Sequence, residues 1–188
     1  MKNFFLTSKH WQLFLASFGI YFGSSVLFVL PLFYSENTRI TGLLWAMIWG
    51  FFMFLYLSWF YYLIRGLNKK IHSHELKTKT SNLRFFLIFP IVFVFVLLYY
   101  FPTEFYNLTN EKKLPVWIFA VFAVYLFWVF CVFYLIYQAA KTIKTAEIQK
   151  KVGFSDFAGE FFLLWFSPIG VWFLQPKINK LARKSAKK

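Results

Sequence analysis

Four long runs without a single charged residue constrain this chain more than any other feature of its sequence. They cover residues 11–33, 41–64, 85–101 and 116–137. A helix rises about 1.5 Å per residue, so about 20 apolar residues are enough to cross the roughly 30 Å hydrocarbon core of a bilayer. No polar linker is long enough to separate two domains. The runs therefore predict an all-α integral membrane protein with four transmembrane helices, folded as a single domain over residues 1–188.

A fifth apolar segment follows, but it is shorter and interrupted. Residues 161–174 carry no charge, and as a helix they would rise only about 21 Å. Pro168 lacks the N–H that a helix interior requires, and Gly170 follows two residues later. This pattern predicts a broken helix that is either re-entrant or interfacial. We expect Pro176 to close it and the basic tail 177–188 to follow.

The distribution of positive charge indicates the orientation of the chain in the membrane. Of the 21 lysines and arginines, 18 lie in residues 1–10, 65–84, 138–153 and 177–188. Cytoplasmic loops retain positive charge, which predicts a multi-pass protein of the cytoplasmic membrane with both termini in the cytoplasm. A spanning segment 161–174 would move the six tail charges to the opposite side, so the charge distribution disfavours a fifth span.

The net charge of +14 also bears on partners. In a soluble protein it would suggest nucleic acid. Here the charge is confined to short loops and the tail, so we expect anionic lipid headgroups as the partner, and no nucleic acid. The headgroup contacts are assigned to the basic side chains of the tail: Lys177, Lys180, Arg183, Lys184, Lys187 and Lys188.

Small residues recur every three or four positions in the first two runs. Helices in a bilayer associate through close packing of small residues, and positions four apart lie on one helix face. The predicted packing positions are Ala16, Gly19, Gly23, Gly42, Ala46 and Gly50. We expect these two faces to contact each other; the alternative is that one of them forms a homodimer. The third and fourth runs are bulkier, and we expect them to pack less closely or to face lipid.

The four runs contain no Asp, Glu, Lys, Arg or His. An ionisable residue usually marks a functional site inside a membrane, because burying one is costly. The motifs typical of phosphate-binding loops and of zinc proteases are also absent. His72, His74 and Glu75 would make an incomplete metal site, and a solvated basic loop is the favoured interpretation. The sequence therefore predicts a protein that is not an enzyme, with no catalytic, cofactor-binding or metal-binding residues.

The broken segment is the best candidate for a functional element. Asp156 and Glu160 precede it and share a helix face. One interpretation is a cation or proton site at a re-entrant mouth. The favoured one is that the two acids occupy a first helical turn, or pair with Lys150 or Lys151. The candidate residues of this segment are Asp156, Glu160, Pro168, Gly170, Gln175 and Pro176.

The segment from Leu164 to Leu181 resembles the last segment of small bacterial membrane proteins of unknown function. The matching residues are Trp165, Phe166, Pro168, Ile169, Trp172, Gln175, Pro176, Ile178 and Asn179. The resemblance implies a bacterial inner-membrane protein, and it implies no activity.

These observations favour a non-enzymatic role. We expect an accessory, scaffold or assembly component whose faces bind other membrane helices, either of other subunits or of a second copy. The alternative is a small transporter or channel that forms a pore only as an oligomer.

Overall fold

The computed structural model describes residues 4–15, 18, 22, 38–80, 82–110 and 117–184. Regular structure in this part of the chain is entirely helical, which confirms the predicted all-α class. Two short helices come first, α1 (Phe4–Thr7) and α2 (His10–Phe14). The longer helices are α3 (Thr38–Asn68), α4 (Leu83–Asn110), α5 (Trp117–Ile148), α6 (Phe154–Trp165) and α7 (Ser167–Lys184), and a 3-10 turn (His74–Leu76) lies between α3 and α4.

Two of these helices are long and apolar enough to cross a membrane, judged by length and composition. They are Ala46–Asn68, within α3, and Trp117–Ile148, which is α5; the most apolar 18 residues of each have a mean hydropathy of 1.6 and 2.5. Within the residues whose side chains are described, the apolar stretch Leu83–Leu97 of α4 is shorter than these two. The run 11–33 lies mostly outside the described residues. The prediction of four spans therefore stays a prediction.

Helices α3 and α5 continue beyond their uncharged runs. Helix α3 passes Arg65 and ends at Asn68, and α5 passes Tyr137 and ends at Ile148. The basic segment after the fourth run is thus largely a continuation of α5. Its apolar residues, such as Ala139 and Ile143, are buried at a spacing of about one helical turn, which extends the core-facing stripe of α5.

Among the described residues, the core centres on the second half of α3. Leu57, Phe60, Ile64 and Leu67 are completely buried and follow each other at three- and four-residue spacing along one helix face. The buried residues of α5, α6 and α7 that complete this cluster include Leu135, Phe157, Leu164 and Ile178.

The bulky helices α4 and α5 pack on each other through aromatic rings. The ring centroids of Phe86 and Tyr134 are 4.2 Å apart, and those of Phe89 and Phe127 are 5.0 Å apart. The Trp128 indole Nε1 donates a hydrogen bond of 3.2 Å to the carbonyl of Pro90. Offset and edge-on ring contacts thus take the place of small residues along this stretch. Large apolar side chains of both helices, such as Ile88 and Phe119, remain exposed, so the expectation that the two helices pack less closely or face lipid stays a prediction.

The C-terminal segment folds back on itself as two helices joined by a single residue. Phe166, with φ −86° and ψ 51°, separates α6 from α7. We call α6, Phe166 and α7 the C-terminal hairpin. Pro168 is the second residue of α7, in the first turn, where a missing N–H costs little. The prediction that Pro176 closes the segment is wrong, because α7 continues through Pro176 to Lys184. The first part of the basic tail is therefore helical.

Candidate functional site

The two helices of the C-terminal hairpin cross in direct backbone contact at Gly170. A Cβ placed on Gly170 would overlap the carbonyl group of Leu163. Only glycine leaves the space that this approach requires. The sequence singled out Gly170 as part of a break, whereas its role in the structure is to let α7 lie against the end of α6.

The break in the hairpin is hydrogen-bonded to α3 through Tyr56. The Tyr56 hydroxyl donates to the Leu164 carbonyl at 3.2 Å, and the Ser167 hydroxyl donates to the Tyr56 oxygen at 3.3 Å. The last four carbonyls of a helix have no partner within that helix. Tyr56 therefore supplies a donor to the end of α6, and both Tyr56 and Ser167 are buried there.

The break is flanked by residues of both candidate membrane spans. Tyr56 is next to the midpoint of Ala46–Asn68, and Phe133 lies four residues before the end of the uncharged run 116–137. The ring of Phe133 packs edge-on against Trp165, with centroids 5.0 Å apart. The C-terminal hairpin thus turns back beside the apolar parts of α3 and α5.

Four charged side chains join three helices beside the hairpin. Lys177 Nζ of α7 lies 2.8 Å from Glu147 Oε2 of α5 and 2.8 Å from Glu160 Oε1 of α6. Lys144 Nζ of α5 lies 3.1 Å from Glu147 Oε2 and 3.7 Å from Glu160 Oε1. We call these residues the ion-pair cluster. It holds two carboxylates and two ammonium groups, so its formal charges cancel.

The electrostatics of the ion-pair cluster keep Lys177 charged. Burial alone would lower the pKa of the Lys177 ammonium, but hydrogen bonds to Glu147 and Glu160 outweigh burial and raise that pKa above its ordinary value. Glu160 is only 8% exposed, and a buried carboxylate requires such partners. Glu160 therefore pairs with Lys177 and Lys144, in place of the predicted Lys150 or Lys151. The Lys177 charge is engaged inside the protein, where the sequence suggested a lipid headgroup.

Asp156 stands apart from the ion-pair cluster. It is exposed, and its Oδ2 accepts a hydrogen bond of 2.8 Å from the backbone N–H of Gly153 at the start of α6. This is the first-turn position that the sequence favoured for it, and the two acids share no site. Glu147 and Lys144 complete the cluster, although the sequence did not indicate them. The only available signal was their three-residue spacing, which places them side by side on a helix.

Gln175 connects the C-terminal hairpin to the N-terminal helices. Its Nε2 donates to the Ser8 carbonyl at 3.3 Å and to Asn179 Oδ1 at 3.1 Å. Asn179 Nδ2 donates to the same Ser8 carbonyl at 2.9 Å. The rings of His10 and Trp172, with centroids 4.5 Å apart, pack beside these bonds. Gln175 is completely buried, so its amide connects two parts of the fold.

The predicted packing residues fall in different places. Ala46 is completely buried, and a Cβ on Gly50 would lie 3.4 Å from Phe95 of α4. Gly50 therefore faces α4. The first run still contacts α3 at another place, where the ring centroids of Phe18 and Phe52 are 5.7 Å apart. Gly42 lies within α3. Ala16, Gly19 and Gly23 lie outside the described residues.

The remaining predicted headgroup residues are distributed along and beyond the end of α7. Lys180 and Arg183 are exposed, and Lys184 is the last residue of the helix. Lys187 and Lys188 lie outside the described residues. The part of the chain that the structure describes contains no group of three side chains able to ligate a metal. His72 instead hydrogen-bonds through Nδ1 to Gln149 Oε1, at 2.9 Å.

Comparison of the chain with protein-family models, with curated proteins and with solved structures gives no match. The resemblance of the segment 164–181 to small bacterial membrane proteins therefore stays a prediction.

Proposed function

We propose that this protein is a non-enzymatic component of a bacterial cytoplasmic membrane, a scaffold or assembly subunit that binds other membrane helices. The observation that carries the proposal is the unequal burial of α5. From Cys131 to Ala146 its inward-facing residues are packed in the core. From 117 to 127 every side chain except Ile118 is exposed, so exposed side chains point in all directions around the helix.

An apolar helix whose side chains are exposed on all sides offers a surface that a partner helix can bind. Lipid tails are as apolar as leucine, so helices in a bilayer associate by dispersion contacts and shape. The first turns of α5 offer rings and branched side chains, among them Phe119, Phe122 and Val124. The second half of α5, fixed by α3 and the C-terminal hairpin, would hold this surface in place. The surface needs no catalytic group, which fits the absence of charge from the run.

We further propose that the C-terminal hairpin enters the membrane from the cytoplasmic side and returns to it. Its break lies beside Tyr56 of α3 and Phe133 of α5, while Glu160 and Lys177, on its two arms, are separated by sixteen uncharged residues. Backbone groups at membrane depth need hydrogen-bond partners from the protein. Tyr56 supplies one such donor, to the Leu164 carbonyl at the end of α6. Both termini would then remain in the cytoplasm.

Site-directed photocrosslinking in the native membrane tests the scaffold proposal. A photoreactive phenylalanine analogue is placed at Phe119, Phe122 or Val124, one at a time, and at Phe162 on the exposed outer face of α6 as a matched apolar control. We expect discrete protein adducts from the α5 positions and lipid adducts from Phe162. If all four positions give only lipid adducts, the exposed half of α5 is a lipid surface and the proposal fails.

A second candidate function is a small oligomeric transporter or channel. The observation that favours it is the break in the C-terminal hairpin beside the apolar parts of α3 and α5, because broken helices line the substrate sites of many transporters. Reconstitution into liposomes, with ion or solute flux measured for the native chain and for Gly170→Leu, tests this function. Flux that requires the intact hairpin supports it. Absence of flux from a folded, assembled oligomer contradicts it.

A further inference from the structure

A basic pocket lies where α3 ends and the polar loop begins. It is a cavity of about 610 Å³, lined by Arg65, Lys69, Lys77 and Lys79 together with one acid, Glu75, and by Asn68, His74, Thr78 and Thr80. The sequence suggested only a solvated loop here. The structure instead places four basic residues around one concave space.

The wall of this pocket is held by a reciprocal pair of hydrogen bonds between Asn68 and Thr78. Asn68 Nδ2 donates to the Thr78 carbonyl at 2.7 Å, and the Thr78 N–H donates to Asn68 Oδ1 at 3.0 Å. These bonds close a ten-residue loop on the last residue of α3. The positions of Lys69, Lys77 and Lys79 are therefore set by the loop backbone.

The same loop is attached to α5 at two further points. The Thr142 hydroxyl donates its hydrogen to the Gln138 carbonyl at 2.7 Å. It therefore acts as the acceptor in its other contact, in which the Thr78 hydroxyl donates to it at 2.7 Å. Gln149 accepts from the backbone N–H of His72 at 3.1 Å, and its Nε2 donates to the Lys70 carbonyl at 3.2 Å. Gln149 itself has a φ of 55°, a left-handed conformation that is uncommon outside glycine. The side-chain bonds of Gln149 offset the cost of that conformation.

Four basic residues and one acid line this cavity, so it carries an excess of positive charge that favours an anion. We propose that this pocket binds a phosphate group, carried by an anionic lipid headgroup or free in solution. One guanidinium nitrogen of Arg65 donates to the Tyr61 hydroxyl at 3.4 Å, and its remaining N–H groups can donate to phosphate oxygens, while each lysine contributes a charge-assisted hydrogen bond. The pocket also adjoins Asn68, the last residue of a candidate span. Headgroup phosphates of the anionic cytoplasmic leaflet lie at that depth.

The test uses the full chain in lipid nanodiscs and its single cysteine as the reporter. Cys131 is buried, so a thiol-reactive fluorophore detects it only on unfolding. Thermal midpoints are measured in neutral phosphatidylcholine discs with rising inorganic phosphate, against chloride at equal ionic strength. A second series replaces part of the lipid by phosphatidylglycerol without free phosphate. Each midpoint shift is taken relative to the same variant without ligand.

Three variants separate the pocket from general charge. Lys77→Gln/Lys79→Gln removes two pocket charges. If this double variant folds poorly, Lys69→Gln, which removes one exposed pocket charge, takes its place. Lys150→Gln/Lys151→Gln removes two exposed charges elsewhere. We expect a saturable stabilisation of the native chain. Loss of two charge-assisted hydrogen bonds should weaken the apparent affinity at least about tenfold in the Lys77/Lys79 variant. The Lys150/Lys151 variant should retain the native affinity.

The two ligand series distinguish the source of the phosphate. Stabilisation by phosphatidylglycerol alone identifies a lipid headgroup site, and stabilisation by inorganic phosphate identifies a site for the free anion. Either result supports the pocket if the Lys77/Lys79 variant loses it. The proposal is overturned if neither ligand stabilises the native chain, or if the Lys150/Lys151 control loses the effect equally.

Discussion

Lys177 and Glu160 connect the two arms of one helical hairpin, with 2.8 Å between the Lys177 Nζ and the Glu160 Oε1. The same ammonium group reaches Glu147 of α5 at 2.8 Å. One lysine thus holds α5, α6 and α7 together. Because Glu160 is almost completely buried, this interaction differs from a surface ion pair, whose contribution to stability is about 0–1 kcal/mol.

The first prediction concerns the Glu160 carboxylate. Glu160→Gln leaves Lys177 and Lys144 with one shared carboxylate, and we expect the free energy of unfolding to fall by about 1–3 kcal/mol. Thermal or denaturant unfolding in mild detergent measures the loss. Glu75→Gln, at an exposed acid of the polar loop, is the matched control and should change stability little. Equal stability of both variants would show that the ion-pair cluster does not hold the hairpin.

The second prediction follows from the raised pKa of Lys177. Folding favours the charged ammonium group, so its contribution to stability is fully present below the ordinary pKa of 10.5 and is lost as the pH rises through the higher folded value. We expect the native chain to lose more stability than Lys177→Gln does over that alkaline window. Unfolding curves of the two chains across the window provide the measurement, and parallel curves would contradict the expected linkage.

The third prediction compares two glycines of the C-terminal hairpin. Gly170→Ala forces a methyl group into the Leu163 carbonyl, so the backbones must separate, and we expect a loss of more than about 2 kcal/mol. Gly159→Ala is the control, because a Cβ on Gly159 of α6 meets nothing within 4 Å. That change should stabilise the helix by about 0.5–1 kcal/mol. Similar effects of the two substitutions would contradict the close crossing.

The fourth prediction addresses the hydroxyl of Tyr56. Tyr56→Phe keeps the ring but removes the donor to Leu164 and the acceptor for Ser167, and we expect a loss of about 1–3 kcal/mol because these groups are buried. Tyr125→Phe, at an exposed side chain of α5, should change stability much less. Unfolding in detergent compares the two. A Tyr56→Phe protein as stable as the native one would mean that another donor serves the end of α6.

The fifth prediction concerns topology. In a Cys131→Ser background, a cysteine at Lys180 should react with an impermeant thiol reagent only after the cells are opened, since the end of α7 is proposed to lie in the cytoplasm. A cysteine at Lys112, in the predicted outer loop, serves as the accessible control. Labelling of the Lys180 position in intact cells would exclude a hairpin that returns to the cytoplasmic side.

Local patterns in the sequence predicted helices and a break, because both depend on nearby residues. Uncharged runs predicted α3, α4 and α5, and the pair Pro168 and Gly170 predicted an interruption that the structure has at Phe166. The prediction that the segment ends at Pro176 was wrong. A proline removes one helical hydrogen bond, but the residues around it, Gln175 and Ile178, are buried, and their packing keeps α7 continuous.

Pairings between distant residues were the part that the sequence could not predict. Glu160 meets Lys177 and Lys144 only because three helices converge, and spacing along one helix gives no information about the other two. Gly50 shows the same limit: a small residue predicts a close approach but does not identify the neighbour, here Phe95. The basic pocket depends on the bond between Asn68 and Thr78, which closes the loop after α3.

The one-residue connection at Phe166 has a consequence for how the C-terminal hairpin can enter a bilayer. Between Glu160 and Lys177 the chain carries no charged residue, and the turn contributes no hydrophilic loop. If the hairpin enters from the cytoplasmic side, as proposed, no charged side chain has to cross hydrocarbon. The hairpin could then be added after the proposed spanning helices are in place, without the machinery that moves polar segments across a membrane.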